Sequence, residues 1–304
     1  MDYTQTFSPV QEISDNLFFD KEIKLYVKRD DLIHPEISGN KWRKLKYNIQ
    51  QAQITGQKTL LTFGGAFSNH IAGLAAAGEV FDFHTIGLIR GEKVIPLNPT
   101  LSFALESGMQ LHFLTRSEYK KRKDEDFVNN LKNRFGQFYL IPEGGTNQLA
   151  IKGCSEIVTE VKQQFNGMPD YWCVSCGTGG TVSGIIKGLN NQGKVIGFSA
   201  LKGDFLQKEI EKLIERPYQN WSINNRYHFG GYAKYQPELI NFINHFKKTN
   251  AIPLDPIYTG KLFYGIYDLI KNDYFPRGSS ILAVHTGGLQ GIAGFNKRFG
   301  NIIQ

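Results

Sequence analysis

Four glycine-rich corners, each placed where a short apolar run ends, most constrain what this chain can fold into. They are Gly64-Gly65, Gly144-Gly145, the stretch 177–180 and Gly287-Gly288, and polar residues flank each of them. A strand that ends in glycine and leads into a helix is the βα unit from which parallel sheets are built. Because the carboxyl ends of parallel strands face one crevice, the corners predict an α/β fold with a ligand site at the strand ends.

The apolar runs predict the strands themselves. Their ranges are 59–63, 84–89, 110–114, 138–141, 172–175, 194–198 and 281–284. These runs are continuous rather than alternating, which is typical of strands that helices cover on both faces. Residues 68–80 and 148–165 predict two of the intervening helices. A total of about eight or nine strands favours two sheets instead of one, and residues 203–228 contain no motif that we can place.

The composition is that of an ordinary globular protein. The chain has 304 residues, of which 41% are hydrophobic and 21% are charged, and this excludes the disordered and fibrous classes. No apolar run approaches the roughly 20 residues that span a bilayer, and the first residues lack a secretory pattern. We therefore expect a cytoplasmic protein without membrane contact. The net charge of +7 suits an anionic small ligand, and its even spread along the chain argues against nucleic acid.

The chain has three cysteines, Cys154, Cys173 and Cys176, and this odd, small number fits a reducing compartment. Cys173 and Cys176 form a C-x-x-C pattern, but they fall in a predicted strand, where positions three apart point to opposite faces. No second cysteine pair or histidine cluster accompanies them. We therefore predict ordinary strand residues and no metal site.

The stretch 175–184, SCGTGGTVSG, links a predicted strand to a predicted helix. Its glycines let successive backbone N–H groups turn inward, and the following helix N-terminus adds positive potential, so the stretch predicts a phosphate site. The dinucleotide pattern G-x-G-x-x-G fails because residue 182 is Val, and the Gly-Lys-Ser/Thr of a P-loop is absent. We expect a phosphate other than that of NAD or ATP, with a plain βα turn as the alternative.

The stretch 38–47, SGNKWRKLKY, crowds four cations into six positions. Gly39-Asn40 favours a tight turn directly before Lys41. One interpretation is a solvated basic helix face, and the other is that Lys41 serves chemistry. Pyridoxal phosphate (PLP) would use both the phosphate site and the lysine, because its aldehyde binds lysine as a Schiff base. Arg43 and Lys44 would lower the pKa of the Lys41 amine, since like charges disfavour the ammonium form.

Several motifs together resemble the family of D-cysteine desulfhydrases and 1-aminocyclopropane-1-carboxylate (ACC) deaminases, which are PLP enzymes of fold type II, the tryptophan-synthase-β fold. The motifs follow the family's order over nearly the whole chain, at residues 28–32, 38–45, 68–70, 144–147, 177–181, 255–258 and 286–288. The resemblance implies two open, twisted, mostly parallel sheets flanked by helices, with the cofactor in the cleft between two domains. It also implies a homodimer.

Carried over to the matching positions, the resemblance implies a role for each motif residue. Lys41 attaches the cofactor and moves the Cα proton, Asn69 hydrogen-bonds the 3′ oxygen of the cofactor, and Ser68 holds the substrate carboxylate. Tyr258 stacks near the ring or the substrate, and Tyr232 lines the substrate pocket. The phosphate is bound by the backbone of Gly177, Thr178, Gly179, Gly180 and Thr181.

Two positions bear on the branch within the family. ACC deaminases look to carry Glu directly after the loop tyrosine and Leu before the final Gly-Gly, where this chain has Thr259 and Thr286, as desulfhydrases do. Thr286 would then face the cofactor and Thr259 the substrate. A threonine hydroxyl at the pyridine nitrogen stabilises a protonated ring less than a carboxylate does. That weakness matters less when sulfide leaves Cβ than when a cyclopropane is opened. Glu143 departs from the family pattern.

The sequence therefore predicts a PLP-dependent lyase that acts on a small amino acid by α,β-elimination. D-Cysteine, giving pyruvate, sulfide and ammonia, is the favoured substrate. The alternatives are ACC deamination to 2-oxobutyrate and ammonia, elimination from another small D- or L-amino acid, and a PLP or phosphate-ligand carrier without turnover. Residues 1–44 and 146–304 are predicted to form the larger, PLP-binding domain, and residues 45–145 the smaller α/β domain.

Overall fold

A computed structural model describes residues 7–304 as an α/β protein. Its strands are β1 (Val10–Ile13), β2 (Lys24–Lys28), β3 (Thr59–Gly65), β4 (His84–Arg90), β5 (Gln110–Leu114), β6 (Tyr139–Ile141), β7 (Tyr171–Cys176), β8 (Lys194–Ser199), β9 (Trp221–Asn224) and β10 (Ser280–Val284). Its helices are α1 (Asn16–Lys21), α2 (Asn40–Ile54), α3 (Asn69–Phe81), α4 (Pro99–Glu106), α5 (Arg116–Lys120), α6 (Glu125–Phe135), α7 (Gln148–Gln164), α8 (Gly180–Leu189), α9 (Phe205–Ile214), α10 (Pro237–Asn250), α11 (Thr259–Lys271) and α12 (Gly291–Phe299). Short 3₁₀ helices cover Asp30–Leu32 and Glu143–Gly145.

The strands form two sheets. The larger sheet has the order β1-β2-β10-β7-β8-β9, and only its edge pair β1–β2 is antiparallel within the described chain. The smaller sheet has the order β5-β4-β3-β6 and is parallel throughout. The predicted fold class, two mostly parallel sheets flanked by helices, is confirmed.

Burial on both faces explains why the central strands read as continuous apolar runs. All six residues of β7 are buried. Cys173 packs in the core cluster on one face of the larger sheet, and Cys176 packs in the cluster on the other face. Both are free, buried thiols, as the strand assignment predicts. Within residues 7–304, no group of three His, Cys, Asp or Glu side chains is placed to hold a metal ion.

The sequence pattern missed β1, β2 and β9, which are short. β1 and β9 lie at the two edges of the larger sheet and are only partly buried, so they carry no long apolar run. α9 and β9 occupy most of the stretch 203–228, for which no motif was found.

The predicted domain boundary at residue 44 falls inside α2, and the division into domains stays a prediction. No helix in the described part of the chain is both long and apolar enough to cross a membrane.

Candidate active site

One cavity collects the predicted site residues from corners of both sheets. β3 and β10 end just before residues that line it, and the last two residues of β7 line it themselves, as expected for parallel strands whose carboxyl ends face a crevice. The lining residues are Asn40, Lys41, Lys44, Ser68, Asn69, His70, Gly144, Ser175, Cys176, Gly177, Thr178, Gly179, Gly180, Thr181, Val182, Tyr232, Tyr258, Thr286, Gly287 and Gly288. Every predicted site residue except Thr259 is in this set.

The turn before α2 directs Lys41 into the cavity. Gly39 has φ of +65°, and a Cβ at this position would collide with the carbonyl group of Thr286, so glycine is required. The Asn40 N–H donates to the Thr286 carbonyl at 3.2 Å. Lys41 Nζ donates to Asn40 Oδ1 at 2.7 Å, and Asn40 Nδ2 donates to Thr181 Oγ1 at 2.9 Å. Asn40, which the sequence offered only as a turn residue, thus connects the lysine to helix α8.

The pKa of the Lys41 amine is lowered from 10.5 to about 7. Burial is the largest cause, because it disfavours the charged form, and the Lys44 ammonium lowers the pKa further, whereas Asp255 raises it. A large fraction of Lys41 is therefore neutral amine near neutral pH. Neutral amine is the form of lysine that acts as nucleophile and as base.

The other cations of the stretch do not form a solvated face. Arg43 is 1% exposed, and its guanidinium binds Asp30 at 2.6 and 2.7 Å and Glu160 at 2.7 and 2.9 Å. Lys44 is 3% exposed, and Lys46 forms an ion pair with a glutamate of α7 at 2.8 Å. The interpretation of this segment as a basic, solvated helix face is therefore wrong.

The loop between β7 and α8 is closely packed at its glycines. A Cβ at Gly180 would lie 2.8 Å from Thr146 Oγ1, and one at Gly177 would lie 3.2 Å from Tyr258 Oη. Gly179 has φ of +84° and stands at the N-cap of α8. The backbone N–H groups at this helix start, with Thr181 beside them, form a cradle that fits a phosphate.

Lys44 is a site residue for which the sequence motifs did not predict a role in phosphate binding. It follows Lys41 by three positions, so both lie on one face of α2, and this spacing could have identified it. Lys44 Nζ donates to the Gly144 carbonyl at 3.0 Å and to Thr146 Oγ1 at 3.2 Å. A Cβ at Gly180 would lie 3.1 Å from the same Nζ. The amine therefore stands beside the glycine loop, where a phosphate dianion would need a counter-charge.

The corner after β3 brings Ser68 and Asn69 to the cavity. Ser68 is the N-cap of α3, and its hydroxyl accepts the N–H groups of His70 at 3.2 Å and Ile71 at 3.4 Å. Capping and a site role are thus compatible for this serine, since it also lines the cavity. The Asn69 amide packs against the last corner, because a Cβ at Gly288 would lie 2.6 Å from Asn69 Nδ2.

Tyr232 and Tyr258 form an aromatic wall. Their ring centroids are 6.2 Å apart in an edge-to-face arrangement. Burial raises the pKa of both hydroxyls, that of Tyr232 to about 12, so both stay protonated. The Tyr232 hydroxyl donates to the Phe67 carbonyl at 3.4 Å, across the cavity. Lys261 Nζ holds the loop that carries Tyr232 by two of its backbone carbonyls, at 2.8 Å each.

The structure does not bring Thr259 to the cavity, contrary to the predicted substrate contact. Its hydroxyl donates to Asp255 Oδ1 at 2.8 Å and accepts the Asp255 N–H at 2.8 Å. Asp255 also accepts the N–H of Tyr258 at 2.9 Å. Thr259 therefore helps to build the corner that positions Tyr258. Thr286 does line the cavity, with its Oγ1 3.2 Å from Ser175 Oγ.

This donor set fits PLP. A lysine amine with a lowered pKa shares one cavity with a glycine cradle, a second lysine and several neutral hydroxyl and amide groups. The cradle and Lys44 suit the phosphate, and Lys41 suits the aldehyde. The roles of the individual residues stay predictions.

Comparisons with known proteins agree with this chemistry. A family model described as "Pyridoxal-phosphate dependent enzyme" matches residues 9–287. A mitochondrial protein of Arabidopsis thaliana named as a bifunctional D-cysteine desulfhydrase/ACC deaminase is 32% identical over 88% of this chain and 73% of its own length. A Pyrococcus abyssi protein provisionally named an ACC deaminase is 32% identical over 89% of this chain and 86% of its own. The crystal structure of an ACC deaminase homologue has a TM-score of 0.86 and 27% identity, and the match covers 99% of this chain and 95% of that one.

Proposed function

Because the chain belongs to the PLP-dependent enzymes, in the family of D-cysteine desulfhydrases and ACC deaminases, we propose that it acts on D-cysteine by α,β-elimination. The reaction converts D-cysteine and water into pyruvate, hydrogen sulfide and ammonia. One observation carries the proposal: the Lys41 amine, with its pKa lowered to about 7, stands in the same cavity as the glycine cradle.

PLP, when bound, supplies an aldehyde that condenses with the substrate amine and a ring that draws electrons from the bonds to Cα. Lys41, as neutral amine, takes the Cα proton, and the electron pair left behind expels sulfide from Cβ. This step requires an unprotonated lysine, so we expect the elimination rate to fall as pH drops below about 7.

The remaining residues bind and orient. The cradle of residues 177–181 and the Lys44 ammonium would hold the phosphate, while Ser68 at the start of α3 would bind the substrate carboxylate. Asn69 would donate a hydrogen bond to the 3′ oxygen of the cofactor. Tyr232 and Tyr258, which contact each other edge to face, would form the aromatic wall of the substrate pocket.

The choice of cysteine elimination over ACC deamination is supported by the neutral hydroxyls that line the cavity. Thr286 and Ser175 place their oxygens 3.2 Å apart there. Such groups stabilise a protonated ring less than a carboxylate would, and this is tolerable when a good leaving group such as sulfide departs from Cβ. ACC deamination is the second candidate, since the names of the relatives include both activities.

The test begins with colour. Purified protein should be yellow, and borohydride should bleach it and label Lys41, whereas Lys41→Ala should abolish turnover. A colourless protein with no bound PLP contradicts the assignment of Lys41 and the cradle. Yellow protein that releases no keto acid from a panel of D- and L-amino acids supports a carrier without turnover.

Sulfide released from D-cysteine, measured against 2-oxobutyrate released from ACC, separates the two enzymatic candidates. Efficient formation of 2-oxobutyrate would contradict the interpretation of Thr286. A homodimer and a cytoplasmic location also remain proposals, which sedimentation and cell fractionation would check.

A further inference from the structure

His70 lines the cavity and has one ring nitrogen without a partner. Thr62 Oγ1 donates its single hydrogen to the Ile141 carbonyl at 2.8 Å and lies 3.0 Å from His70 Nε2. Because the Thr62 hydrogen is already used, Nε2 must carry the ring proton and donate it to Thr62. Nδ1 is therefore a bare acceptor, and among residues 7–304 it has no hydrogen-bond partner.

The ring stays neutral in this environment. His70 is 1% exposed, and burial, followed by the charges of Lys41 and Lys44, lowers its pKa well below 6.5. A buried acceptor without a donor is rare, because it loses its hydrogen bond to water and gains nothing in exchange. Because two lysines lie near this nitrogen, an ammonium group is the donor that its lone pair would accept from.

The Lys41 side chain contacts α3 at Gly73, on the helix face that carries His70. A Cβ at Gly73 would lie 3.1 Å from Lys41 Cβ and 3.4 Å from Lys41 Cγ, so the stem of the lysine packs on this glycine. His70 precedes Gly73 by three residues, on the same face, and helical side chains lean toward the N-terminus. Lys44, by contrast, is already engaged with the Gly144 carbonyl and Thr146.

We propose that His70 Nδ1 is the acceptor that holds the Lys41 ammonium once Lys41 has taken the substrate proton. The inference rests on the role of Lys41 under the proposed function. An ammonium has three hydrogens to donate, and Asn40 Oδ1, at 2.7 Å, accepts one of them. His70 accepts a second, which keeps the lysine beside Cα. His70 is thus a positioning residue that acts through Lys41 and does not exchange the proton itself.

Two substitutions separate the functions of the two ring nitrogens. His70→Gln keeps an N–H donor near the Nε2 position and removes the Nδ1 acceptor. His70→Asn keeps an acceptor near the Nδ1 position and removes the donor to Thr62. The inference predicts that the Gln variant loses catalysis while the Asn variant retains more of it, and that the Asn variant loses more stability.

The pH dependence of kcat carries the decisive readout. A hydrogen bond to the charged form favours that form, so its loss should shift the acid limb of the His70→Gln profile down by roughly one to two pH units. We expect kcat to fall about tenfold, with KM changed less than about twofold, and His70→Asn to restore the limb. The other groups that act on Lys41 are Lys44 on α2, Cys154 on α7 and Asp255 before α11, and these variants leave all three in place.

Two measurements need no turnover. The rate at which PLP-free protein regains its visible absorbance on adding PLP depends on neutral Lys41, and its midpoint pH should fall in His70→Gln. In the wild-type holoenzyme, ¹⁵N–¹H spectra of the histidine rings should place the His70 proton on Nε2 between about pH 6 and pH 9.

Profiles that coincide for wild type and His70→Gln, or a His70 proton on Nδ1, would overturn the inference. A His70 proton on Nδ1 would overturn the inference even if the variants do not fold. Borohydride labelling in the same samples distinguishes a failure of the His70 inference from a failure of the proposed function. Labelled Lys41 with unchanged profiles refutes the role of His70 alone, whereas unlabelled Lys41 refutes the proposed function as well.

Discussion

Replacement of Asp30 by Asn would remove one charge from a buried network of four. Asp30 is fully buried and binds the Arg43 guanidinium twice, at 2.6 and 2.7 Å. Glu160 binds the same guanidinium and also Lys28 Nζ at 2.7 Å. Two cations and two carboxylates balance in this arrangement. Asn at position 30 has nearly the same shape and leaves one positive charge uncompensated.

The expected loss follows from the burial. Breaking a buried pair by removing one partner costs about 3–5 kcal/mol, and a fully buried carboxylate gains no relief from solvent screening. At about 2–4 °C per kcal/mol for a chain of this size, Tm should fall by roughly 6–20 °C.

The pH dependence offers a second check on the same network. Burial alone would raise the pKa of Asp30, but Arg43, Lys28 and Ser8 outweigh it, and the pKa is lowered from 3.8. A carboxylate with a lowered folded-state pKa stabilises the protein above its unfolded-state pKa and ceases to do so as pH falls through the folded value. The difference in stability between wild type and Asp30→Asn should therefore shrink as the pH is taken below about 3.8.

Thermal unfolding followed by circular dichroism, with bound PLP quantified in the same samples, measures the effect. The matched control is Glu209→Gln, which breaks an ion pair with Lys212 whose side chains are 42% and 71% exposed. Exposed pairs contribute about 0–1 kcal/mol, so the control should shift Tm by no more than about 2–4 °C. If the Tm of Asp30→Asn equals that of the control, the buried network does not need a balanced charge and the reasoning is refuted.

Three further substitutions test the site. Lys44→Met should raise the pKa of the catalytic lysine above about 7, seen as an upward shift of the acid limb of the rate profile, and should speed the loss of PLP on dialysis. Lys261→Met frees the loop of Tyr232, so KM should rise several-fold with kcat nearly unchanged, and adding Tyr232→Phe should give less than the sum of the two effects. Gly39→Ala forces a Cβ into a backbone carbonyl and should lower Tm far more than Gly56→Ala, where φ is also near +66° but the space is open.

The sequence predicted the strand ends and the cavity well, because both depend on local chemistry. Apolar runs mark strands that are buried on two faces, and glycines at φ above zero, such as Gly179, mark places where backbone approaches closely. The same local signals placed Ser68 and Thr286 at the ends of strands, where parallel topology brings them together.

The partners of charged residues could not be predicted in the same way, because they are distant in sequence. Glu143 looked like a departure from the family pattern. In the structure it forms an ion pair with Arg122 at 2.7 Å and accepts the Tyr119 hydroxyl at 2.7 Å. Thr259 faces Asp255 rather than the cavity, because that carboxylate binds the start of α11. The Glu143 contacts have no signature in the residues nearby, whereas Asp255 lies only four positions before Thr259 and could have indicated the Thr259 contact.

Helix α2 contains both a cation whose effect on Lys41 was predicted correctly and a cation whose partners could not be predicted. We predicted that Arg43 and Lys44 would together lower the pKa of Lys41, but only Lys44 acts with burial to do so, and Arg43 is not among the causes. Asp30 and Glu160 neutralise the Arg43 guanidinium. Helical spacing could have separated the two cations, since position i+3 shares the face of Lys41 and position i+2 turns away from it. Helical spacing could not predict the two carboxylates that neutralise Arg43, because Asp30 comes before α2 in the chain and Glu160 comes after it.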